Sequence, residues 1–265
     1  MIANLLKQLY TSRSFIIGSI KREFQSKYMN SLLGIIWTIL QPLSMILVYT
    51  LIFSQIMQAR LPGIESRFGY SIYLCAGILT WALFSEITSR TQNTFIENAG
   101  LIKKLNFPKI CLPFVIICNA SINFAIIFSL FTLFLIITGS FPGVAFLLMV
   151  PVLGIQILFA TGLGMTLGVL NVFFRDVGHL FNIMLQFWFW LTPIVYPANI
   201  LPERLKIWLQ INPMAGIISA YQNIILYGEA PSWIQLMPAM TAGVLFCWLG
   251  LHLYRKHGSD MVDEL

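Results

Sequence analysis

The side chains that could do acid–base or metal chemistry are few in this chain, and they lie far apart. The three histidines, His179, His252 and His257, form no paired metal-binding motif, and no H-E-x-x-H sequence occurs. The loop G-x-x-x-x-G-K-[ST], which cradles nucleotide phosphates, is also missing from the sequence. The residues therefore predict no catalytic centre, no metal site and no cofactor, and an energy source would have to come from a partner.

Glu86 is the acidic residue that comes closest to lying inside an apolar segment, near the end of that segment. An ionisable residue within a membrane span is a candidate for function, because a charge in lipid is costly. A position at the membrane–water interface costs less, and the sequence favours that interpretation.

The segment 89–111 is the longest polar stretch between the first apolar segments. Gly100 can end or bend a helix, and Pro108 can set the exit from it. Between them an apolar group is ringed by polar and basic residues, in the order Leu101, Ile102, Lys103, Lys104, Leu105, Asn106, Phe107 and Lys109. Such a plug suits docking into a groove with acidic edges on a partner. The alternative is that the lysines only set membrane orientation while the apolar residues lie on lipid.

Two apolar segments carry aromatic faces. In the first, Trp37, Gln41 and Tyr49 belong to a row that repeats every four residues and so share a slowly drifting helix face. In the fifth, Phe187 and Trp190 share a face, while Trp188 between them points elsewhere. These faces either line a path through the protein or pack against helices and lipid, and the sequence leaves both open.

The composition places the chain in the membrane. Hydrophobic residues make up 58% of the 265 residues and charged residues only 10%, whereas a soluble domain carries about 25% charged residues. The net charge of +6 does not indicate nucleic-acid binding, because the bases stand beside apolar runs. We therefore expect an all-α polytopic protein in contact with membrane lipid.

Apolar segments of sufficient length predict six transmembrane helices within a domain covering residues 32–257. The predicted spans are about 33–53, 69–88, 112–137, 144–169, 177–196 and 232–254. The segment at about 200–228 holds two apolar stretches too short to span, which start near Pro202 and are separated by Asn212 and Pro213. This pattern predicts an extracytoplasmic re-entrant helical hairpin before the last span.

Both ends of the chain differ from the spans. Residues 1–31 carry one apolar helical stripe among bases, which includes Ile16, Ile20 and Phe24 and predicts an amphipathic helix in the membrane interface. Residues 258–265 form a polar cytosolic tail, in which Asp260 is expected to be mobile.

The distribution of bases predicts that both termini are cytosolic. The predicted inner segments hold Lys7, Arg13, Lys21, Arg22, Lys27, Arg90, Lys103, Lys104, Lys109, Arg175, Arg255 and Lys256. The predicted outer segments hold only Arg60, Arg67, Arg204 and Lys206. Since basic residues are enriched in cytoplasmic loops, this asymmetry favours the orientation with the N-terminus inside.

Three local patterns predict how the spans are anchored and packed. Arg175 and Asp176 form a charged elbow before the fifth span, where Asp176 is expected to cap the first turn. Asn119 and Asn123, one turn apart, are expected to bond to a neighbouring helix. A small-xxx-small row in the fourth span predicts close helix packing, and its members are Ala160, Gly164 and Gly168.

Three blocks of sequence resemble one known family. They are SKYMNSLLGIIWTILQPLSMILVYTLIFS at 26–54, NAGLIKKLNFPKICLP at 98–113 and LNVFFRDVGHLFNIMLQFWFWLTPIVYP at 170–197. With the Asn-Pro pair at 212–213 they cover nearly the whole chain in the same order. In them the chain resembles the permease subunits of type-2 ABC exporters for cell-surface polysaccharides, which export O-antigen, capsule and teichoic acid.

The resemblance implies a homodimeric permease in the bacterial cytoplasmic (inner) membrane, paired with two nucleotide-binding ATPase subunits. ATP and Mg²⁺ would bind in those subunits, so the chain itself would be a transport permease without enzymatic activity. Its cargo would be a lipid-linked polysaccharide. The resemblance further implies an ATPase-coupling helix within 98–113, a channel between two copies lined by the first and fifth spans, and the re-entrant hairpin as outer gate.

Two other functions stay open at this level. A type-2 exporter of drugs or lipids would share the same architecture, although the aromatic-rich first and fifth spans favour sugars, because aromatic faces stack on sugar rings. An integral membrane transferase is a different class of protein. The missing cluster of acids, histidines and metal ligands argues against it.

Overall fold

A computed structural model describes residues 10–28, 36–49, 51–52, 68–104, 107–198 and 201–265. Leu105 and Asn106 of the predicted plug lie outside these residues. Of the first span, the backbone of α2 is described, but the side chains of Trp37, Gln41 and Tyr49 are not.

The described residues are helical almost throughout and contain no strand. The α-helices, in chain order from α1 to α11, are Arg13–Tyr28, Ile36–Tyr49, Gly69–Glu97, Ala99–Lys104, Cys111–Ile137, Met149–Phe173, Asp176–Trp190, Glu203–Ile211, Pro213–Tyr227, Trp233–Lys256 and Asp260–Glu264. A 3₁₀ segment, Gly143–Leu148, leads directly into α6.

Among the described residues, four helices are long and apolar enough to cross a membrane. They are Gly69–Glu97, Cys111–Ile137, Gly143–Phe173 and Trp233–Lys256. α7 has 15 residues, fewer than the roughly 20 that a span needs. α2 is described over Ile36–Tyr49, and the residues on both sides of it lie outside the described ranges. The structure therefore supports an all-helical membrane protein with four candidate spans, two of which, α3 and α6, extend beyond their predicted cytosolic ends.

α3 is the central helix of the bundle, and it packs against α5, α6 and α9. Its continuation past residue 88 to Glu97 carries Thr91 and Gln92, which belong to the polar stretch beyond the predicted span, yet both are buried. A Cβ on Gly164 would lie 2.8 Å from Thr91 Cβ, and one on Gly168 would lie 2.9 Å from the Thr91 carbonyl oxygen. The small-residue row of α6 therefore packs against α3 of the same chain, which explains why its members are small.

A second face of α6 packs against α10, again through glycines. A Cβ on Gly162 would lie 2.6 Å from the backbone nitrogen of Cys247, and a Cβ on Gly243 would lie 3.2 Å from Phe159 Cα. The hydroxyl of Thr166 donates a 3.0 Å hydrogen bond to the carbonyl of Phe246 across this contact. α6 is thus held between α3 and α10, and these three helices form the frame that positions the rest.

The chain loses helical structure between Leu191 and Pro197, where the sequence predicts that the fifth span continues to residue 196. The carbonyls of this segment find partners on α3: Tyr70 donates to Val195 at 2.6 Å, and Tyr73 donates to Pro193 at 3.0 Å. Non-helical backbone at membrane depth is tolerated only where its polar groups are satisfied by protein. The two tyrosines therefore allow α7 to end early.

The two short helices predicted before the last span are present as α8 and α9, and their surroundings differ. α9 packs into the core against α3 and α10, with Tyr221 and Ile217 buried. α8 instead exposes an apolar side that holds Ile207, Trp208 and Ile211, with Trp208 71% exposed. The pair therefore has one helix built into the bundle and one on its surface.

Candidate coupling and translocation sites

The predicted ATPase-coupling segment begins as a short helix, α4, that turns away from the end of α3. Asn98 makes this turn, because its side-chain nitrogen donates to the Thr94 carbonyl at 2.8 Å while its own carbonyl accepts from Ile102 N at 2.9 Å. Gly100 lies within α4 with nothing within 4 Å of the place a Cβ would occupy. The fold therefore does not require glycine there, and α4 starts because of Asn98.

The side chains of α4 divide between the interior and the surface. Ile102 is 6% exposed and belongs to an apolar cluster with Phe95 and Leu112, against which Leu101 also packs. Lys103 and Lys104 are exposed. The apolar residues of the described part of the predicted plug thus face the chain itself, and its free surface is basic. The physical reason is that a helix of six residues cannot hold its position without burying one side.

The exit of the coupling segment rests on the N-terminal helix. The rings of Phe107 and Phe15 on α1 have centroids 4.8 Å apart. Ile16, which the sequence places on a lipid-facing stripe, is buried against Cys111 and Val115 of α5. The backbone N–H of Cys111 donates to the carbonyl of Pro108 at 2.9 Å, which starts α5. Part of the amphipathic stripe of α1 therefore packs on protein.

A polar cluster joins α1, α3 and α5 beside this contact. Arg90 forms ion pairs with Glu23 of α1 and, at 3.4 Å, with Glu86 one turn earlier on α3. Asn123 donates to Glu86 at 3.2 Å, and Asn119 donates to Glu23. The prediction that the paired amides bond to neighbouring helices is confirmed. Glu86 is thus partnered within the fold, which gives this acid a structural role.

The C-terminal residues also reach the coupling segment. Residues Asp260–Glu264 form the helix α11, and Met261 is completely buried in the cluster that contains Ile102. Hydrogen bonds with His257 and from Ser259 lower the pKa of the Asp260 carboxyl. The expectation of a mobile tail is wrong, because the apolar side chain of Met261 gives these polar residues a buried anchor.

The elbow before α7 is held by a network that the sequence analysis missed. Asn171 at the end of α6 accepts a 2.9 Å hydrogen bond from Gly178 N and donates to the Gln92 carbonyl at 3.2 Å. Gln92 donates in turn to the Gly178 carbonyl at 3.1 Å. The sequence did contain an indication of this network, because Asn171 and Gln92 are amide side chains close to the ends of apolar segments. They tie the start of α7 to α3 and α6.

Arg175 and Asp176 both lie exposed at this elbow, outside the network. The prediction that Asp176 caps α7 is wrong: Arg175 occupies the N-cap position, no side chain caps the helix, and Asp176 is its first residue. Its carboxylate still stands in the first turn, where the helix dipole favours negative charge.

The aromatic block of α7 points in two directions. Phe187 and Trp190 are 66% and 64% exposed, on a face that continues with Leu180, Ile183 and Met184. Trp188 packs edge-on against Phe84, with ring centroids 5.3 Å apart. Phe187 and Trp190 thus remain available to a channel, a second copy or lipid, and Trp188 belongs to the core.

Asn212 is the structural centre of the predicted gate hairpin. Its side-chain oxygen caps α9 by accepting from Met214 N at 3.1 Å, and Pro213 occupies the first turn, where no backbone donor is needed. The same oxygen accepts from Trp188 Nε1 at 2.8 Å. Pro202 occupies the N-cap position of α8 and makes no side-chain cap. Asn212, which lies between α8 and α9, is therefore hydrogen-bonded to α7.

An open cavity of about 730 Å³ lies beside the hairpin, between α8, α9 and the start of α10. Its polar lining comes from Lys206, Gln210, Ser219, Ser232 and Gln235. It lies at the end of the bundle opposite to α4 and α11.

The family model described as ABC-2 type transporter matches residues 16–226, which is most of the chain and includes α3, α4, α7 and the hairpin. The chain belongs to the ABC-2 type transporter family. It is therefore the membrane subunit of an ABC transporter.

This ABC-2 protein is similar along nearly its whole length to named permeases. It is 27% identical over 98% of its length, and 99% of the relative, to the O-antigen export system permease protein RfbA of Myxococcus xanthus. It is 25% identical to the RfbA permease of Klebsiella pneumoniae, over 89% of this chain and 88% of the relative. It is 23% identical to the polysialic acid transport protein KpsM of Escherichia coli, over 92% of this chain and 93% of the relative.

Proposed function

We propose that this ABC-2 protein is the permease that carries a lipid-linked cell-surface polysaccharide, such as O-antigen or capsule, across the bacterial cytoplasmic membrane. The observation that carries the proposal is the likeness over nearly the whole chain to permeases named for O-antigen export and polysialic acid transport. The exposed aromatic residues Phe187 and Trp190 support a sugar cargo over a purely apolar one, since aromatic faces stack on rings.

Energy is supplied by two copies of a separate ATPase subunit, which bind ATP and Mg²⁺. The coupling residues are Gly100, Leu101, Ile102, Lys103, Lys104, Leu105, Asn106, Phe107 and Pro108. Lys103 and Lys104 form the exposed side of α4 and support a contact with an acidic surface. Gly100 supports the same assignment, because its open surroundings leave room for a partner to approach the backbone.

Two copies of the chain form the channel, which the first and fifth spans line. The exposed apolar side chains of α2 and α7 support this arrangement, because within the described residues they leave an apolar face of each helix uncovered. Trp37, Gln41 and Tyr49 on α2, with Phe187 and Trp190 on α7, are the proposed lining. Trp188 does not line the channel but holds α7 against α3 through its contact with Phe84.

The domain crosses the membrane six times, with α2 and α7 completing the four longer spans and both termini in the cytosol. The bias of basic residues towards the predicted inner segments supports this orientation. The hairpin of α8 and α9 re-enters the membrane from the outside and acts as the gate. The hydrogen bond between Asn212 of the hairpin and Trp188 of α7 supports a gate that moves together with α7.

Export is tested by deleting the gene in its host and measuring surface polysaccharide and lipid-linked polymer inside the cell. We expect surface polymer to disappear, internal polymer to accumulate, and the wild-type gene to restore both. Normal surface polysaccharide in the deletion strain would overturn the proposed cargo. Loss of resistance to a drug without any change in polymer would support a drug or lipid exporter instead.

Coupling is tested by reversing the exposed charges of α4. The double change Lys103→Glu and Lys104→Glu should leave the permease in the membrane but reduce copurification of the ATPase. Arg175→Glu, an exposed base at the elbow before α7, is the control. Equal retention of the ATPase by both charge-reversed proteins would place the docking surface elsewhere.

A further inference from the structure

The helix proposed to touch the ATPase is too small to hold its own position. α4 has six residues, of which only Ile102 is buried. Isolated helices of this length are unstable in water, so the orientation of α4 has to be set by what lies beneath Ile102. The elements in closest contact with α4 are the end of α3 and the C-terminal helix α11.

Met261 of α11 is the fully buried side chain that α11 places in the cluster around Ile102. Met261 has no exposed surface and shares an apolar cluster with Ile102 of α4, Phe95 of α3 and Val172 of α6. Val262 and Leu265, which follow Met261 in the chain, pack against the same cluster. One short helix, α11, therefore contacts both the coupling helix α4 and the long helix α6.

A hydrogen bond also links the residues after α4 to the C-terminal segment. Lys109, which follows the coupling segment, donates from Nζ to the carbonyl of Gly258 at 2.7 Å, just before α11 begins. Burial lowers the pKa of Lys109. This lysine therefore contacts the C-terminal segment, although the sequence assigns it to the basic rim offered to a partner. α4 thus has an apolar contact with α11, and Lys109 has a polar contact with the turn that precedes α11.

The last turn of α10 fixes α11 to the frame. The ring of Tyr254 stacks on Phe95 with centroids 6.2 Å apart, and the ring of His257 meets the edge of Phe173 at 5.7 Å. The backbone N–H of Met261 donates to the His257 carbonyl at 2.9 Å, so α11 follows α10 after a single turn. Movement of α10 against α3 and α6 would therefore be passed to α4 through Met261.

We propose that the C-terminal helix α11 is a positioning element of the coupling apparatus, and that Met261 seats α4 in the orientation that the ATPase engages. The proposal rests on the proposed role of α4 in ATPase contact. The residues of α11 are then needed for energy transfer, by way of α4. Met261 acts through Ile102, and it is not itself a docking residue.

The test measures the motion of α4 directly, in a chain whose four native cysteines have been replaced. A spin label at Lys104→Cys reports on α4, and a label at Arg204→Cys, exposed on α8 and outside the cluster that contains Met261, is the control. Met261→Asp should raise the mobility of the α4 label and leave the control label unchanged. Met261→Leu, which keeps an apolar side chain of similar volume, should restore the wild-type spectrum.

The functional readout is retention of the ATPase subunit that copurifies with the wild-type permease. In Met261→Asp we expect retention to fall about tenfold, equivalent to about 1.4 kcal/mol of docking free energy, with wild-type membrane levels. Lys109→Ala should give a smaller loss of the same kind. Met261→Ala, which leaves a cavity without a charge, covers the case in which the aspartate variant fails to insert.

The outcomes separate this inference from the function it rests on. Unchanged mobility at Lys104→Cys in both Met261→Asp and Met261→Ala would overturn the seating of α4 by α11. Increased mobility with full retention of the ATPase would overturn the link from α11 to coupling. A wild-type permease that retains no ATPase would instead overturn the proposed function, while the label spectra would still decide the seating.

Discussion

Trp188 Nε1 donates a 2.8 Å hydrogen bond to the side-chain oxygen of Asn212, 24 residues later in the chain. Asn212 also donates from its side-chain nitrogen to Thr192 Oγ1 at 3.0 Å and caps α9 through Met214 N. One amide thus joins the end of α7 to the start of α9. The hairpin can therefore move relative to α7 only if this hydrogen bond breaks, and otherwise the two move together.

Replacing Asn212 should destabilise the protein more than a typical loop substitution. Asn212→Ala removes the cap of α9, which is worth about 1 kcal/mol, and leaves Trp188 without its acceptor, at a cost of about 1–3 kcal/mol. We expect a lower thermal unfolding midpoint in detergent. Asn212→Asp keeps the accepting oxygens and is the matched control. An alanine variant as stable as the aspartate variant would show that the bond adds little.

The aromatic residues of α7 should divide into two phenotypes. Phe187→Ala and Trp190→Ala should reduce polymer export at normal membrane levels, because both side chains point away from the core. Trp188→Ala should reduce the amount of protein in the membrane, because its ring packs on Phe84 and Phe159. Quantitative immunoblots alongside surface polysaccharide measure the two effects. Loss of protein in all three variants would argue against a lining role.

Removing Arg90 should loosen the N-terminal helix. Arg90→Gln leaves the carboxylates of Glu23 and Glu86 without their shared cation. Because these side chains are partly exposed, each pair is worth no more than about 1 kcal/mol. We expect faster chymotryptic cleavage within α1, after aromatic residues such as Phe24, which neither this substitution nor its control changes. Arg22→Gln, whose side chain bonds only within its own helix among the described contacts, is the control.

The combined change Glu23→Gln with Arg90→Gln then tests whether charge is the cause. It should be cleaved more slowly than Arg90→Gln alone, since the Glu23 carboxylate that has lost its cation is then neutral. Cleavage at the same rate in both proteins would show that the ion pair does not hold α1 in place.

Glycines on α6 should respond to alanine according to what lies opposite them. Gly164→Ala places a methyl group 2.8 Å from Thr91 Cβ and should destabilise the bundle by about 1–3 kcal/mol. Gly154, on the same helix with nothing within 4 Å, is the matched control. Gly154→Ala should be neutral or stabilising by up to about 1 kcal/mol, since alanine favours helix. Equal unfolding midpoints would contradict the close α3–α6 contact.

The proposed orientation predicts which single cysteines an impermeant thiol reagent reaches in whole cells. In a chain without native cysteines, Arg204→Cys on α8 should be labelled, whereas Lys104→Cys on α4 and Arg175→Cys at the elbow should be labelled only after the cells are opened. Labelling of Lys104→Cys in intact cells, with none at Arg204→Cys, would reverse the orientation.

Several elements follow from local sequence alone. The spans expected at 69–88, 112–137, 144–169 and 232–254 correspond to α3, α5, the 3₁₀ segment with α6, and α10. The short helices around Asn212 and Pro213 were also predicted, because a helix-breaking pair between apolar stretches is visible in the chain itself. Hydrophobicity and proline act over a few residues, so a linear pattern is enough to locate them.

The sequence by itself determined the membrane class, the order of the long helices and the presence of bonding amides and small residues. Tertiary structure alone decided their partners: Asn123 with Glu86, Gly164 with Thr91, and Met261 beneath Ile102. It also decided that polar Thr91 and Gln92 extend α3 beyond the predicted span. The physical reason is that the residues which pack against a buried side chain or bond to it lie far away in the chain, so no local pattern of residues identifies them.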